Sequence, residues 1–316
     1  MTANEWLEWR RGGLSSSDIA AALGQNPRRS PGAVQREKLG DQDEPAFKVN
    51  EDSFWGDVME PHVAQAYCDR TGSTFVQPEE WADLLPAANV RRLLDEGRPR
   101  WGVELKAAPV CRATPDYLIQ RKDKLWVLEI KTTGKVEAWK RGVPTNVLLQ
   151  VQWQMLVMGI PRAVVVVLFF GRSRKMRSFE VELLDAFQVG GPAQQAAVKW
   201  WREYVEEGRP CRPASADIPW LTRKYPKGNG KTLALDEGLA TLDQAFIETA
   251  KAYETARNAA KKAKLIHADV QAQLRALIGD ASFAEIEGTG ALYSLHSLDR
   301  GGRVLRRKRQ KWTTSH

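Results

Sequence analysis

Two apolar runs separated by a polar turn mark the centre of the chain. Residues 112–133 read RATPDYLIQRKDKLWVLEIKTT: a Thr-Pro turn precedes Asp116, a polar turn covers 120–124, and an apolar strand over 125–130 delivers Glu129 and Lys131. Glu129 and Lys131 are two apart, so their side chains leave the same face of that strand. A run such as LWVLEIK is normally covered by helices on both sides, where a carboxylate and an ammonium cost free energy unless each finds a partner.

The same alternation of periods predicts the elements around this hairpin. Phe54, Val58, Val63, Ala66 and Tyr67 form an apolar stripe at helical spacing over 53–71, with Pro61 as a kink or break. Residues 145–158 (TNVLLQVQWQMLVM) predict a second helix, with Val147, Leu148, Val151, Met155 and Met158 on one face and Gln150 and Gln154 together at i, i+4. Gly159 and Pro161 end it, the β-branched run 162–171 predicts a buried strand, and 177–183 predicts a partly exposed one. Further helices are expected after Ser15–Asp18, over 31–40, over 87–96 with Arg91 and Arg92 on a solvated face and Arg98 nearby, and over 184–208. Strands are expected over 74–77 and 101–105. This order gives an α/β fold, a mixed central sheet flanked by helices.

Beyond residue 209 the pattern changes. Residues 211–235 are rich in Pro, Gly and basic side chains, as in a linker, and divide a first domain (1–210) from an extension (236–316). From 239 to 277 apolar or small residues recur at alternating spacings of three and four, a heptad-like stripe with a weak middle. This stretch is one helix of about 58 Å or a helical hairpin. His267 falls within the stripe as a packing residue. The end predicts a basic β-hairpin turning at 299–302, in which Arg303, Arg306, Arg307, Lys308 and Arg309 are candidates for DNA backbone contact or for a disordered tail.

Charge narrows the class of partner. A formal net charge of +8 favours a polyanion. No apolar run is long enough to span a bilayer and no secretory start is present, so a cytoplasmic protein is expected. Cys68, Cys111 and Cys211 are scattered without C-x-x-C spacing, which excludes a zinc or iron–sulfur site built from cysteine.

Asp116, Glu129 and Lys131 carry the candidate chemistry. Two carboxylates and the Ile130 carbonyl are a sufficient protein donor set for a divalent metal, because magnesium prefers hard oxygens and keeps several waters. Upstream, Arg10, Arg11 and Ser15–Asp18 combine guanidinium and hydroxyl donors at a helix start; this is either an ordinary cap, the role expected of Asp18, or a phosphate site.

Pro-Asp at a turn, a hairpin, a strand carrying Glu-x-Lys and a Gln-bearing helix make the PD-(D/E)xK nuclease pattern. TPDYLI with LEIKTT, and the opening segment with its Trp, Arg-Arg, Gly and SSDIA, resemble the YqaJ-like viral recombinase exonucleases, the group that includes the phage lambda exonuclease. The resemblance covers about two thirds of the chain. It implies a restriction-endonuclease-like core and a magnesium-dependent 5′–3′ exonuclease on double-stranded DNA ends, with manganese as a substitute, leaving a 3′ overhang for phage-type recombination. It further implies that Glu60, at the end of a G-x-x-x-E, joins Asp116, Glu129 and Ile130 at the metal, that Gln150 reaches the site, and that Arg10 and Ser17 hold the 5′-phosphate. His62 is expected to be structural, and Gln152 and Gln154 supporting or at the surface. A trimeric ring, a single-strand annealing partner and a phage or prophage origin in a bacterial host complete the implication. The alternatives are an endonuclease of restriction or repair type using the same residues, and a non-catalytic DNA-binding protein.

Overall fold

The computed structural model describes residues 3–41, 51–95, 98–170, 175–227, 239–278, 283–286, 291–297 and 303–307. They form two compact units, Met1–Gly228 and Asn229–His316.

The first unit opens with helices α1 (Ala3–Arg11), α2 (Ile19–Ala22), α3 (Pro31–Leu39) and α4 (Glu51–Thr71), then strand β1 (Thr74–Val76) and the short α5 (Trp81–Leu84). Strands β2 (Ala88–Asp95), β3 (Arg98–Leu105), β4 (Arg112–Ala113), β5 (Tyr117–Arg121) and β6 (Lys124–Thr133) follow, and α6 (Thr145–Met158), β7 (Arg162–Phe169), β8 (Lys175–Glu182), α7 (Pro192–Trp201) and α8 (Ile218–Lys224) complete it. The central sheet has the order β1-β5-β6-β7-β8. Only β6 and β7 run parallel; the other neighbours are antiparallel, so the sheet is mixed as the sequence predicts.

Strand β6 divides the core by its period of two. Trp126, Leu128 and Ile130 join a cluster with Val63, Ala64, Tyr67 and Cys68 of α4. Val127 packs on the opposite face with Val147, Val151 and Met155 of α6. Glu129 and Lys131 occupy the next two places on the α6 side, which decides which helix can reach them. The tight hairpin between β5 and β6 turns at Lys122 and Asp123, both left-handed (φ 48° and 57°), a backbone that suits a two-residue connection between right-twisted strands.

Several expectations need correction. Residues 88–95 form a strand rather than a helix: each of them pairs with β3, from Ala88 opposite Leu105 to Asp95 opposite Arg98. Local helix preference in NVRRLLDE gives way to pairing with a partner further along the chain. Arg91 and Arg92 are therefore exposed on a strand, and the Arg98 side chain lies outside the described residues. Helix α4 continues through Pro61, and its first half does not bury its stripe; Phe54 and Val58 are exposed. The expected helix over 184–208 divides into a 3-10 turn, α7 and a π-helical turn at Arg202–Glu206. Gly190, at φ +81°, and Pro192 at the first turn set the start of α7.

The stretch 211–227 is not featureless. Asp217 is buried, accepting a hydrogen bond from Ser30 Oγ, pairing with Arg36 at 2.8 Å and capping Ala214 N at 2.8 Å. Residues 228–235 lie outside the described residues. In the second unit, α9 (Ala240–Ile278) is a single helix of 39 residues, which settles the choice between one helix and a hairpin. Strands β9 (Phe283–Ile286), β10 (Ala291–Ser297) and β11 (Arg303–Arg307) form an antiparallel sheet in the order β11-β10-β9, so the basic hairpin gains a third strand that the sequence did not reveal.

Candidate active site

Asp116 lies one residue before β5, at the point where β5 ends against β6. The last pair of the hairpin is Tyr117 with Leu128, and beyond it Asp116 Oδ2 accepts the Ile130 N–H at 2.8 Å. In an extended strand a residue's N–H and C=O leave on the same side, so the Ile130 carbonyl is directed to the same edge of β6 as the N–H that Asp116 accepts. The hairpin thus supplies a carboxylate and a carbonyl at one point. Glu129 adds the second carboxylate and is fully buried.

Four groups hold these carboxylates. Glu129 Oε1 accepts from Lys131 Nζ and from Gln150 Nε2 at 2.6 Å, and its Oε2 accepts from Gln154 Nε2 at 2.8 Å. Gln150 and Gln154, four apart on α6, therefore grip the two oxygens of one carboxylate and fix its plane. Gln154 is completely buried and touches Glu129 directly, so it belongs to the site and not to the surface. Gln152 is structural: it donates to Glu182 O at 2.7 Å and accepts Leu184 N–H at 2.9 Å, tying α6 to the end of β8. His62 is exposed on α4.

Electrostatics at this point favours a cation. Burial raises the Asp116 carboxyl well above the usual carboxylate range, and the nearby charges of Glu129 and Glu60 raise it further, against the pull of Lys131 and the Ile130 N–H. Burial pulls Lys131 down, but Glu129 and Asp116 outweigh it and keep its ammonium charged. Asp116 and Glu129, with Glu60 near enough to act on Asp116, gather carboxylate oxygens in a partly enclosed place, and a hard divalent cation fits that donor set. Among the described residues no three His, Cys, Asp or Glu side chains form a metal cage by themselves. A cation here needs the Ile130 carbonyl, water and substrate oxygens to complete its shell, which is the habit of magnesium.

A cleft of about 380 Å³ opens beside Asp116 and Glu60, walled by Phe75, Trp81, Trp101 and Tyr117. Its sequence signal was absent, because these aromatics come from four separate elements.

The N-terminal cluster is built around Asp18, which is fully buried. Asp18 does not cap α2; its Oδ2 accepts from Ser15 N at 3.1 Å, Ser15 Oγ at 2.7 Å and Lys38 Nζ at 2.6 Å, while Oδ1 meets Arg29 at 2.6 Å and Arg10 at 3.7 Å. Burial pushes the Asp18 carboxyl up, but Lys38, Arg29 and Arg10 outweigh it and hold it far below its ordinary value. The cap expectation fails because three cations take the side chain inward. Above this hub Arg10 donates to Ser17 Oγ at 3.2 Å, and Ser17 is exposed. Lys38 and Arg29 were missed in the sequence, lying 20 and 11 residues from Asp18 with no local pattern to join them.

This cluster is stitched to the site. Leu14 forms a parallel bridge with Cys111, and Arg112 N donates to Leu14 O at 2.9 Å. Trp153 Nε1 donates to Arg112 O at 3.1 Å from α6, the helix that also carries Gln150 and Gln154. A Cβ on Gly13 would lie 2.7 Å from the Val110 backbone carbonyl, so the close approach requires glycine there, whereas one on Gly12 would meet only the movable end of the Arg112 side chain. Of the C-terminal basic residues, Arg307 is exposed at the end of β11; the side chains of Arg303 and Arg306, and all of Lys308 and Arg309, lie outside the described residues.

A mixed sheet presenting Asp116 and Glu129-x-Lys131 at the end of a hairpin defines the PD-(D/E)xK arrangement. Residues 5–161 match the family described as the YqaJ-like viral recombinase domain, and over this stretch the chain belongs to that family. No curated protein matches the chain. Among solved structures it is similar to LHK-Exo in complex with dAMP (19% identity, covering 71% of this chain and 98% of that one, TM-score 0.45). It is similar to the same degree of identity and coverage to LHK-Exo, an alkaline exonuclease from Laribacter hongkongensis, at a TM-score of 0.43. A phage-related exonuclease from Haemophilus somnus 129PT is 11% identical over 62% of this chain and 96% of that one, at a TM-score of 0.39.

Proposed function

We propose that the protein is a magnesium-dependent deoxyribonuclease that degrades double-stranded DNA from an end in the 5′–3′ direction, leaving a 3′ single-stranded overhang for phage-type recombination. The observation that carries this reading is the convergence of Asp116, Glu129 and Lys131 on one point, with both Glu129 oxygens held by Gln150 and Gln154. A structural ion pair does not need a carboxylate gripped on both oxygens by two amides.

Asp116, Glu129, Glu60 and the Ile130 carbonyl would hold the metal. When bound, magnesium, or manganese in its place, supplies charge neutralisation at the phosphate under attack. The remaining work falls to the chain. Gln150 and Gln154 keep Glu129 in one orientation, and Lys131, held as an ammonium, orients the attacking water and donates to developing negative charge. The aromatic walls beside Asp116 shelter the nucleotide being removed. Arg10 and Ser17, which are hydrogen-bonded to each other above the buried Asp18, hold a 5′-phosphate by charge-assisted hydrogen bonds. Direction follows from which end that pocket accepts.

The partners follow from the same reading: a duplex DNA end, a single-strand annealing recombinase, and copies of the chain closed into a trimeric ring. Arg303, Arg306, Arg307, Lys308 and Arg309 add backbone contacts from the extension. Among the described residues no helix is long and apolar enough to cross a membrane, and the proposed place of action is the cytoplasm of a bacterial host. The test is a linear duplex labelled at either end, with and without Mg²⁺, beside a closed circle of the same sequence. Release of 5′ label first, only with metal and only from the linear form, is the expected result; cutting of the circle would make the protein an endonuclease.

A further inference from the structure

Helix α9 carries its apolar stripe in the open. Phe246 is 73% exposed, Tyr253 71% and Leu277 85%, and Leu242 and Val270 are exposed as well. The spacing of alternating three and four is kept from 239 to 277, longer than the three or four heptads that mark a coiled coil. Such a helix has apolar area to cover, and its own sequence indicates with what.

We propose that α9 pairs antiparallel with α9 of a second copy of this chain. The stripe is its own complement when reversed. Placing Leu239 of one copy opposite Leu277 of the other brings Leu242 against Leu274, and the two aromatic side chains meet smaller ones, Phe246 against Val270 and Tyr253 against Ala263. The same register sets Thr249 opposite His267, the two strongly polar side chains of the stripe, and places Ala256 against Ala260 at the centre, where helices can approach closely. A parallel pair in register would instead stack Phe246 on Phe246, Tyr253 on Tyr253 and His267 on His267.

Charge selects the same orientation. The first half of the helix (240–259) carries Asp243, Glu248 and Glu254 against Lys251 and Arg257, whereas the second (260–278) carries Lys261, Lys262, Lys264 and Arg275 against Asp269 alone. Antiparallel pairing brings the more acidic half of each copy alongside the basic half of the other; parallel pairing sets the two basic halves beside each other. Because the contact is the same surface on both copies, it closes on itself as a two-fold interface. It lies outside residues 5–161, the stretch matched to the family, and does not depend on the nuclease reading.

The test uses the full-length protein. Sedimentation velocity of wild type should give an even number of copies per particle, six where the pairing joins two trimeric rings, and Phe246→Glu should halve that number while circular dichroism stays unchanged, since Phe246 is exposed within its own chain. For orientation, Thr249→Cys and His267→Cys are made singly and together in a Cys211→Ser background and oxidised. Disulfide-linked dimers are expected from the double variant, with little from either single one. Dimers from the single variants would overturn the antiparallel arrangement. An odd stoichiometry, or a mass that Phe246→Glu leaves unchanged, would overturn the pairing itself and assign the stripe to a different protein.

Discussion

Two enclosed aspartates in the first unit are treated in opposite ways. Asp18 sits among Lys38, Arg29 and Arg10 and is held firmly ionised; burial and the charges of Glu129 and Glu60 push the Asp116 carboxyl up, against the pull of Lys131 and the Ile130 N–H. At the first, positive partners outweigh burial; at the second, burial and like charge outweigh the positive partner. Where ionised groups are more than satisfied, the fold is being held together; where they are left short, a ligand is expected to supply the balance.

The largest expected effect breaks the comparison on the side of Asp116. Lys131→Ala should lower the cleavage rate by about three orders of magnitude while duplex binding persists, as for loss of a group acting on the reacting phosphate. Asp116→Ala should lose cleavage and also weaken Mg²⁺ binding in a calorimetric titration. Normal turnover in Lys131→Ala would remove the assignment of the site.

Next in size is a contrast in stability without DNA. Asp18→Asn should destabilise the first unit by about 3–5 kcal/mol, because the buried Lys38 ammonium loses its partner. Asp116→Asn should leave the melting temperature unchanged or raise it, since a repelling charge is removed. Magnesium should raise the melting temperature of wild type and not that of Asp116→Asn. The two aspartates also predict opposite pH trends for the metal-free protein. The depressed pKa of Asp18 gives stability that is full above its unfolded value, about 3.9, and is lost as pH falls below it. The raised pKa of Asp116 works the other way, so that its protonation relieves strain as pH falls. Equal responses of the two Asn variants in urea melts across that range would erase the distinction.

A smaller effect tests what the satisfied cluster offers outward. Arg10→Ala should slow initiation on 5′-phosphorylated duplex by roughly 10- to 100-fold, the worth of about 1.5–3 kcal/mol for one charge-assisted hydrogen bond. The change on 5′-hydroxyl duplex should be slight, and Ser17→Ala should be milder on both. If wild type digests the two substrates at the same initial rate, Arg10 and Ser17 only buttress Asp18. Smallest of all, truncation after Leu298 should flatten the salt dependence of duplex binding and leave cleavage at saturating DNA intact, because fewer counterions are released. An unchanged slope would separate the basic hairpin from DNA.

The site was legible where its parts are close in sequence. Asp116, Glu129 and Lys131 fall within one hairpin, so a turn, a strand and a period of two suffice to bring them together. Gln150 was legible through the family pattern, whereas Gln154, equally close to Glu129, looked like support; helical spacing places two glutamines on one face but does not say how far each reaches. The hub around Asp18 was hidden. Lys38 and Arg29 arrive from other elements, and their sequence neighbours carry nothing that marks them. Strand β2 failed for a related reason: its local residues favour helix, and only its pairing with β3, formed at a distance, overrides them. Helix α6 came out with its exact bounds because its stripe, its Gly159 terminus and its length agree at every level.

Asp217 bears on where this protein could be cut or recombined with others. Composition changes at Arg209, and a shuffled gene joined there would look seamless on paper. Yet Ser30 at the N-cap of the third helix and Arg36 within it rest on Asp217, and Gln35 donates to the Arg209 carbonyl and accepts from Cys211 N–H. A fragment ending at residue 210 would expose the underside of α3, next to the lysine that holds Asp18. The unit that can travel intact from one gene to another ends beyond α8, so the natural seam lies past Tyr225.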